Sequence, residues 1–122
     1  MAGEVEEGHY LRLMHASSDD LIDGATETAK LATSQLPAYQ ITRPALTATK
    51  ENALALITSC VGRKLVMGDR VEEEIEEASR IIPQNTAIAG FYSYGEISSN
   101  AESLNRELYN QTMTMLLIKE CL

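Results

Sequence analysis

Tryptophan is missing from this chain of 122 residues, phenylalanine occurs once, and there are only two cysteines and three prolines. Cys60 and Cys121 stand far apart and form neither a CxxC pair nor a Cys/His cluster. They offer no disulfide framework and no zinc spacing, and a reducing cytoplasmic compartment fits them best. No apolar run approaches the roughly 18 residues of a membrane span, and no basic segment leads into one. Neither GxGxxG nor GxxxxGK[ST] occurs, so a phosphate-cradling glycine loop is not expected. Bases are scarce as well. Ten Lys and Arg face eighteen Asp and Glu, a formal charge of −8 that repels phosphate backbones and anionic lipid. Nucleic acid and membrane surfaces are excluded as expected partners.

What is present describes one small domain. Apolar residues make up 44% and charged ones 23%, and a chain of this length buries enough surface for one core. Residues 1–8 read as a flexible tail or linker remnant and 9–122 as the domain. Six acids between Asp69 and Glu77, against Arg70 alone, place −5 of the charge on one short stretch and leave −3 for the rest. That stretch reads as the solvated face of a helix.

His9 to Ala16 alternates Leu11, Leu13 and His15 against Tyr10, Arg12 and Met14, the period of a strand. Ser17 or Ser18 then caps a helix that runs to about Leu36, where Pro37 stops it, with Asp19 and Asp20 at its positive end. Residues 37–52 contain two prolines and read as an ordered loop. Ala53 to Cys60 is nearly continuously apolar, as in a central strand covered on both faces, and Gly62 permits a turn after it. Asp69 and Glu72 have capping-box spacing, and Val71, Ile75, Ala78 and Ile82 follow at helical spacing until Pro83, with the glutamates toward water. Ala87 to Ile97 and Tyr109 to Lys119 read as two strands of a hairpin joined by a polar loop. The expected fold is therefore α/β (α+β), a two-layer mixed sheet of about four or five strands with two main helices in the order β-α-β-α-β-β. Two helices can cover one sheet face and leave the other for a partner or ligand.

Three places carry candidate chemistry. Gly90 to Glu96 packs two glycines, three of the six aromatics and a carboxylate into seven residues. Strand alternation puts Tyr92, Tyr94 and Glu96 on one side, a face able to hold an ammonium group. The plain alternative is a twisted, half-exposed strand that tyrosine and glycine simply suit. The turn after the central strand offers Cys60, Gly62 and Arg63, with Arg63 placed to take a carboxylate or, equally, to pair with a glutamate of the next helix. Cys60 as a nucleophile needs His9 or His15 beside it; otherwise it is a small buried hydrophobe. Asn110, Gln111 and Thr112 open the last strand with hydrogen-bonding groups that can complete a pocket. His9 and His15 lie too far apart along a strand to share a metal.

The blocks Cys60 to Gly68, Gly90 to Glu96 and Asn110 to Thr114, with Leu11 to Met14 and Leu21 to Ala25, resemble the C-terminal half of the FIST (F-box and intracellular signal transduction) sensory domain family. The resemblance implies a cytoplasmic, non-enzymatic signal-input domain that binds a small polar ligand such as an amino acid. It implies no cofactor and no metal. Implied partners are an amino acid-like ligand and a signalling output domain or an N-terminal FIST half, while the open sheet face expected from two helices leaves room for a second copy in a homodimer. The expected ligand-binding residues are Cys60, Gly62, Arg63, Tyr92, Tyr94, Glu96, Asn110, Gln111 and Thr112. The alternative is an interaction or dimerisation module that docks through its open sheet face.

Overall fold

The computed structural model describes residues 6–36, 53–99 and 106–119. The loop expected at 37–52 lies outside the described residues. Helix α1 spans Ser18–Ser34, β1 Ala53–Cys60, α2 Val61–Met67, α3 Val71–Ile81, β2 Thr86–Ser93, β3 Glu96–Ser99, β4 Arg106–Tyr109 and β5 Met113–Lys119. A short 3-10 turn, Gly68–Arg70, joins α2 to α3. The fold is α+β, with two longer helices over mixed strands.

Strands β2, β1 and β5 form one sheet in that order, and β3 and β4 form a separate hairpin. As its apolar run suggests, β1 is the central strand, parallel to β2 and antiparallel to β5. Register puts Ala55, Ile57 and Ser59 on one face with Gly90 and Tyr92 of β2 and Met115 and Leu117 of β5. Helices α1 and α3 lie on that face. Ala29, Ala55, Ala78 and Ile82 pack there, joined by Ile81, Met115 and Leu117. The three alanines are fully buried, and their small side chains let both helices approach the sheet closely. A second cluster of Leu21, Ile22 and Met67, with Ala16 and Val71 against it, holds the N-terminal ends of α1 and α3 together.

Ser17 caps α1 as its sequence predicts, and the cap is reciprocal. The Asp20 amide donates to Ser17 Oγ at 3.2 Å, while Asp20 Oδ2 accepts from the Ser17 amide at 2.8 Å. These bonds hold the Asp20 carboxyl below its ordinary pKa.

Several expectations are corrected. His9–Ala16 forms no strand: Tyr10, Leu11, Leu13 and Met14 are 63–103% exposed, because no described strand lies beside them to satisfy their backbone. The Asp69–Glu72 box does not form; α3 begins after Arg70 without a side-chain cap, because α2 and the 3-10 turn already carry the chain there. Gly62 lies inside α2, not in a turn. The strand expected at 87–97 breaks at Tyr94 and Gly95 into β2 and β3, and that expected at 109–119 breaks at Asn110–Thr112 into β4 and β5. Gln111, at φ 59°, makes the second break. The hairpin is accordingly β3–β4, and β1 separates β2 from β5. The described residues cover only one face of β1, so Leu56, Phe91, Leu116 and Ile118 remain 39–68% exposed on the other.

Candidate functional site

Alternation along β1 and helical spacing along α3 bring four polar side chains into the interior. Ser59 and Tyr92 are register neighbours on the helix face of the sheet. Arg63 stands on α2, and Glu74 on α3 lies three residues after Val71 and four before Ala78, the apolar side of that helix. Glu74 is fully buried, which corrects the reading that the acidic run faces water throughout. Its Oε1 accepts from Arg63 Nε and lies 2.6 Å from Arg63 Nη2. Ser59 Oγ donates at 3.2 Å and Tyr92 Oη at 3.1 Å. Arg63 Nη2 also donates to the Leu21 carbonyl at 2.7 Å, tying α1 into the same network. A buried carboxylate so fully partnered is a structural keystone.

Tyr92 carries the electrostatic mark of this setting. Burial, then the negative Glu74 that accepts its proton, push its phenol up to about 12. A phenol whose pKa is raised by folding is neutral in the folded chain while its unfolded counterpart already ionises. Its stabilising contribution is complete below pH 10 and is lost as pH rises from about 10 to about 12. Urea unfolding across that range is expected to show a falling midpoint, and Tyr92→Phe to flatten the fall. Absorbance of tyrosinate reports the same event as one phenol that titrates late.

A second polar group gathers at the carboxyl end of β1. The Cys60 amide donates to the Thr112 carbonyl at 3.0 Å, anchoring the turn before β5. Thr112 Oγ1 donates to Glu96 Oε1 at 2.5 Å. A β-carbon on Gly62 would stand 3.1 Å from Gln111 Cγ, so glycine lets the glutamine side chain lie over the start of α2. One on Gly95 would stand 3.3 Å from Asn110 Oδ1. Glu96 is only 8% exposed, yet its Oε2 has no hydrogen-bond partner among the described residues. Ser93 Oγ is in the same condition. Thr112 also lines a cavity of about 340 Å³ with Thr28, Leu31 and Ala32 of α1 and with Ser98 and Tyr109 of the hairpin. Its lining mixes hydroxyl groups with the apolar side chains of Leu31, Ala32, Met113 and Met115. An unsatisfied buried carboxylate oxygen one hydroxyl away from it is a strong acceptor.

The structure thus brings Cys60, Gly62, Glu96, Asn110, Gln111 and Thr112 to one end of the sheet. Arg63 and Tyr92 lie near the same end of β1, but their side chains join the Glu74 network on the helix face, and Tyr94 stands apart in water. Arg63 faces the interior and pairs with a glutamate of the following helix, the alternative its sequence left open, although the pair is buried. Tyr92 belongs to the same network, with Lys64 Nζ 5.2 Å above its ring. Tyr94 is 92% exposed because the β2–β3 break ends the alternation that would align it with Tyr92 and Glu96. Cys60 is buried, whereas His9 and His15 lie on the exposed N-terminal segment, His9 beside Glu6. Glu74, Ser98, Thr28 and Tyr109 escaped the sequence reading. Only Glu74 had a signal there, its place between Val71 and Ala78.

A family model described as the FIST C domain matches residues 1–99, which hold both polar groups up to Glu96. The chain belongs to the FIST C domain family. This FIST C domain is therefore of a sensory, signal-transducing kind, not of a known enzyme family. The match ends with β3, so Asn110–Thr112 and β5 lie beyond it. No curated protein and no solved structure gave a match to the chain. No helix among the described residues is long and apolar enough to cross a membrane.

Proposed function

We propose that this FIST C domain is a non-enzymatic, cytoplasmic signal-input domain that takes a small polar ligand into the cavity between α1, β5 and the β3–β4 hairpin, and that the ligand carries an ammonium group. The buried Oε2 of Glu96, which has no hydrogen-bond partner among the described residues and belongs to a carboxylate held by the cavity-lining Thr112, carries the reading. A cation there replaces a missing hydrogen bond, and the hydroxyls of Ser98, Tyr109 and Thr112 supply further contacts. Arg63, the expected receptor for a ligand carboxylate, is engaged by Glu74 and Leu21. The amino end of an amino acid-like ligand is therefore the end this site favours. A thermal-shift screen of amines and amino acids tests it. A ligand at a hundred times its dissociation constant stabilises by about 2.7 kcal/mol. Glu96→Gln and Thr112→Val are expected to remove that shift. No shift with any compound, or one that both variants retain, overturns the reading.

A second reading, docking of an N-terminal FIST half, an output domain or a second copy, is favoured by the uncovered sheet face with Leu56, Phe91, Leu116 and Ile118. Sedimentation of the chain and of Phe91→Asp separates this reading from a strictly monomeric domain.

A further inference from the structure

Strand β2 has the composition of an interior strand and the surroundings of a bare one. Thr86–Ser93 carries no charge and no proline, two of the devices that keep an edge strand from pairing. Yet it ends its sheet, with β1 as its one neighbouring strand among the described residues. Ala87, Ile88, Ala89, Gly90 and Phe91 are all exposed. The helices do not cover it, since the cluster they build with Ala55, Met115 and Leu117 draws on β1 and β5 and holds no residue of β2.

Beside β2 lies a hollow of about 270 Å³. Ile75 of α3, Ile57 and Ser59 of β1, and Ile88 to Tyr92 of β2 line it. Successive residues of a strand face opposite sides, so a space bordered by five in a row opens at the strand's outer edge. A cavity of about 150 Å³ already holds benzene, and this one has room for a large aliphatic side chain. A groove between an edge strand and a helix accepts an extended segment as an added strand, with main-chain bonds for affinity and a side-chain pocket for specificity.

Charge selects the occupant. Glu72 stands one turn before Ile75 and Glu76 directly after it, both exposed, on the side of α3 away from buried Glu74 and Ala78. Glu73 and Glu77 pair with Arg70 and Arg80, whereas the carboxylates of Glu72 and Glu76 make no ion pair among the described residues. Lys64, at the Tyr92 end, lies over that ring. A second copy pairing β2 with β2 about a twofold axis would set these glutamates against their own counterparts, between chains of charge −8. A basic segment meets them with opposite charge.

We propose that an extended segment of a basic partner protein adds as a strand to the outer edge of β2. One aliphatic side chain fills the hollow against Ile57, Ile75 and Ile88, and a Lys or Arg two residues to either side, on the same face of the added strand, meets Glu72 and Glu76. This edge lies across the sheet from β5 and its cavity, so docking stands independently of the ligand reading.

The test titrates the full chain into a fluorescein-labelled peptide with the core lysine, valine, leucine, valine, lysine, and into a second peptide with glutamate for both lysines. Anisotropy is expected to saturate with the lysine peptide alone, and the outward amides of β2 to slow in hydrogen exchange when it is added. Glu72→Lys/Glu76→Lys is expected to weaken the lysine peptide about tenfold and to admit the glutamate peptide. Ile88→Trp, which fills the hollow, is expected to abolish binding while β1 amides stay protected and report a folded domain. No saturation by about 1 mM, equal binding of both peptides, or binding without slowing at β2 overturns the proposal. Outward β2 amides that are slow before peptide is added also overturn it: a doubled mass in sedimentation then assigns the edge to a second copy, and a single mass to cover from within the chain.

Discussion

Glu74→Ala is expected to lower stability by about 3–5 kcal/mol, because it leaves the Arg63 guanidinium buried and without its counter-charge. Arg63 is 4% exposed and Glu74 fully buried, so water cannot replace the lost carboxylate without local opening. For a domain of this size the loss is a fall in melting temperature of roughly 10–25 °C. Since small domains hold only about 5–15 kcal/mol in total, a large unfolded fraction at 37 °C is expected. Thermal and urea denaturation followed by circular dichroism measure it. Replacing both partners, as in Arg63→Met/Glu74→Met, is expected to recover much of the loss, since desolvation of both charges is removed with their attraction. Equal losses in the single and double variants would refute the assignment of the cost to an orphaned charge. Tyr92 supplies an independent readout. With Glu74 gone its phenol loses a negative neighbour and its hydrogen-bond acceptor, and its titration is expected to move back toward the ordinary value of 10.

Gly90→Ala is the second large effect. A β-carbon at Gly90 would stand 2.1 Å from the Ile57 carbonyl oxygen and 3.2 Å from Ile57 Cβ. Ile57 is the register partner of Gly90 in the central strand pair, so the obstacle is backbone in the middle of the sheet. Relief requires β1 and β2 to separate, which sacrifices ladder bonds on both sides. A cost of about 3 kcal/mol or more is expected, the upper end for overpacking. Urea unfolding measures it, with Gly68→Ala as a contrast. Gly68 has open space around its absent side chain and only its φ of 56° to strain the variant. If Gly90→Ala costs no more than Gly68→Ala, the close approach of the two strands is not what fixes this glycine. The group that nears the backbone at Gly90 is thus the Ile57 carbonyl of the neighbouring strand.

The candidate site was partly legible in the sequence. Cys60, Glu96 and Thr112 meet because each sits at a strand end, and strand ends are what turn residues and apolar runs announce. Tyr94 is misplaced by one-dimensional alternation, which assumes an unbroken strand, and of the two partners the sequence left open for Arg63 the fold selects the glutamate. Helix α2 follows β1 directly and turns Arg63 inward, while the Tyr94–Gly95 break turns Tyr94 out.

By itself the sequence determined the composition of a single small acidic domain, the central place of Ala53–Cys60, the Ser17 cap and the family. These follow from local chemistry: apolar runs, a hydroxyl before a helix, and ordered motifs. Tertiary structure alone decided that one acid of six, Glu74, would be buried and that Arg63 would serve it. It also decided that Glu96 would keep a buried oxygen without a partner among the described residues. Charge in water costs little wherever it sits, but inside a sheet–helix interface its cost depends on which neighbours the fold brings within about 3 Å.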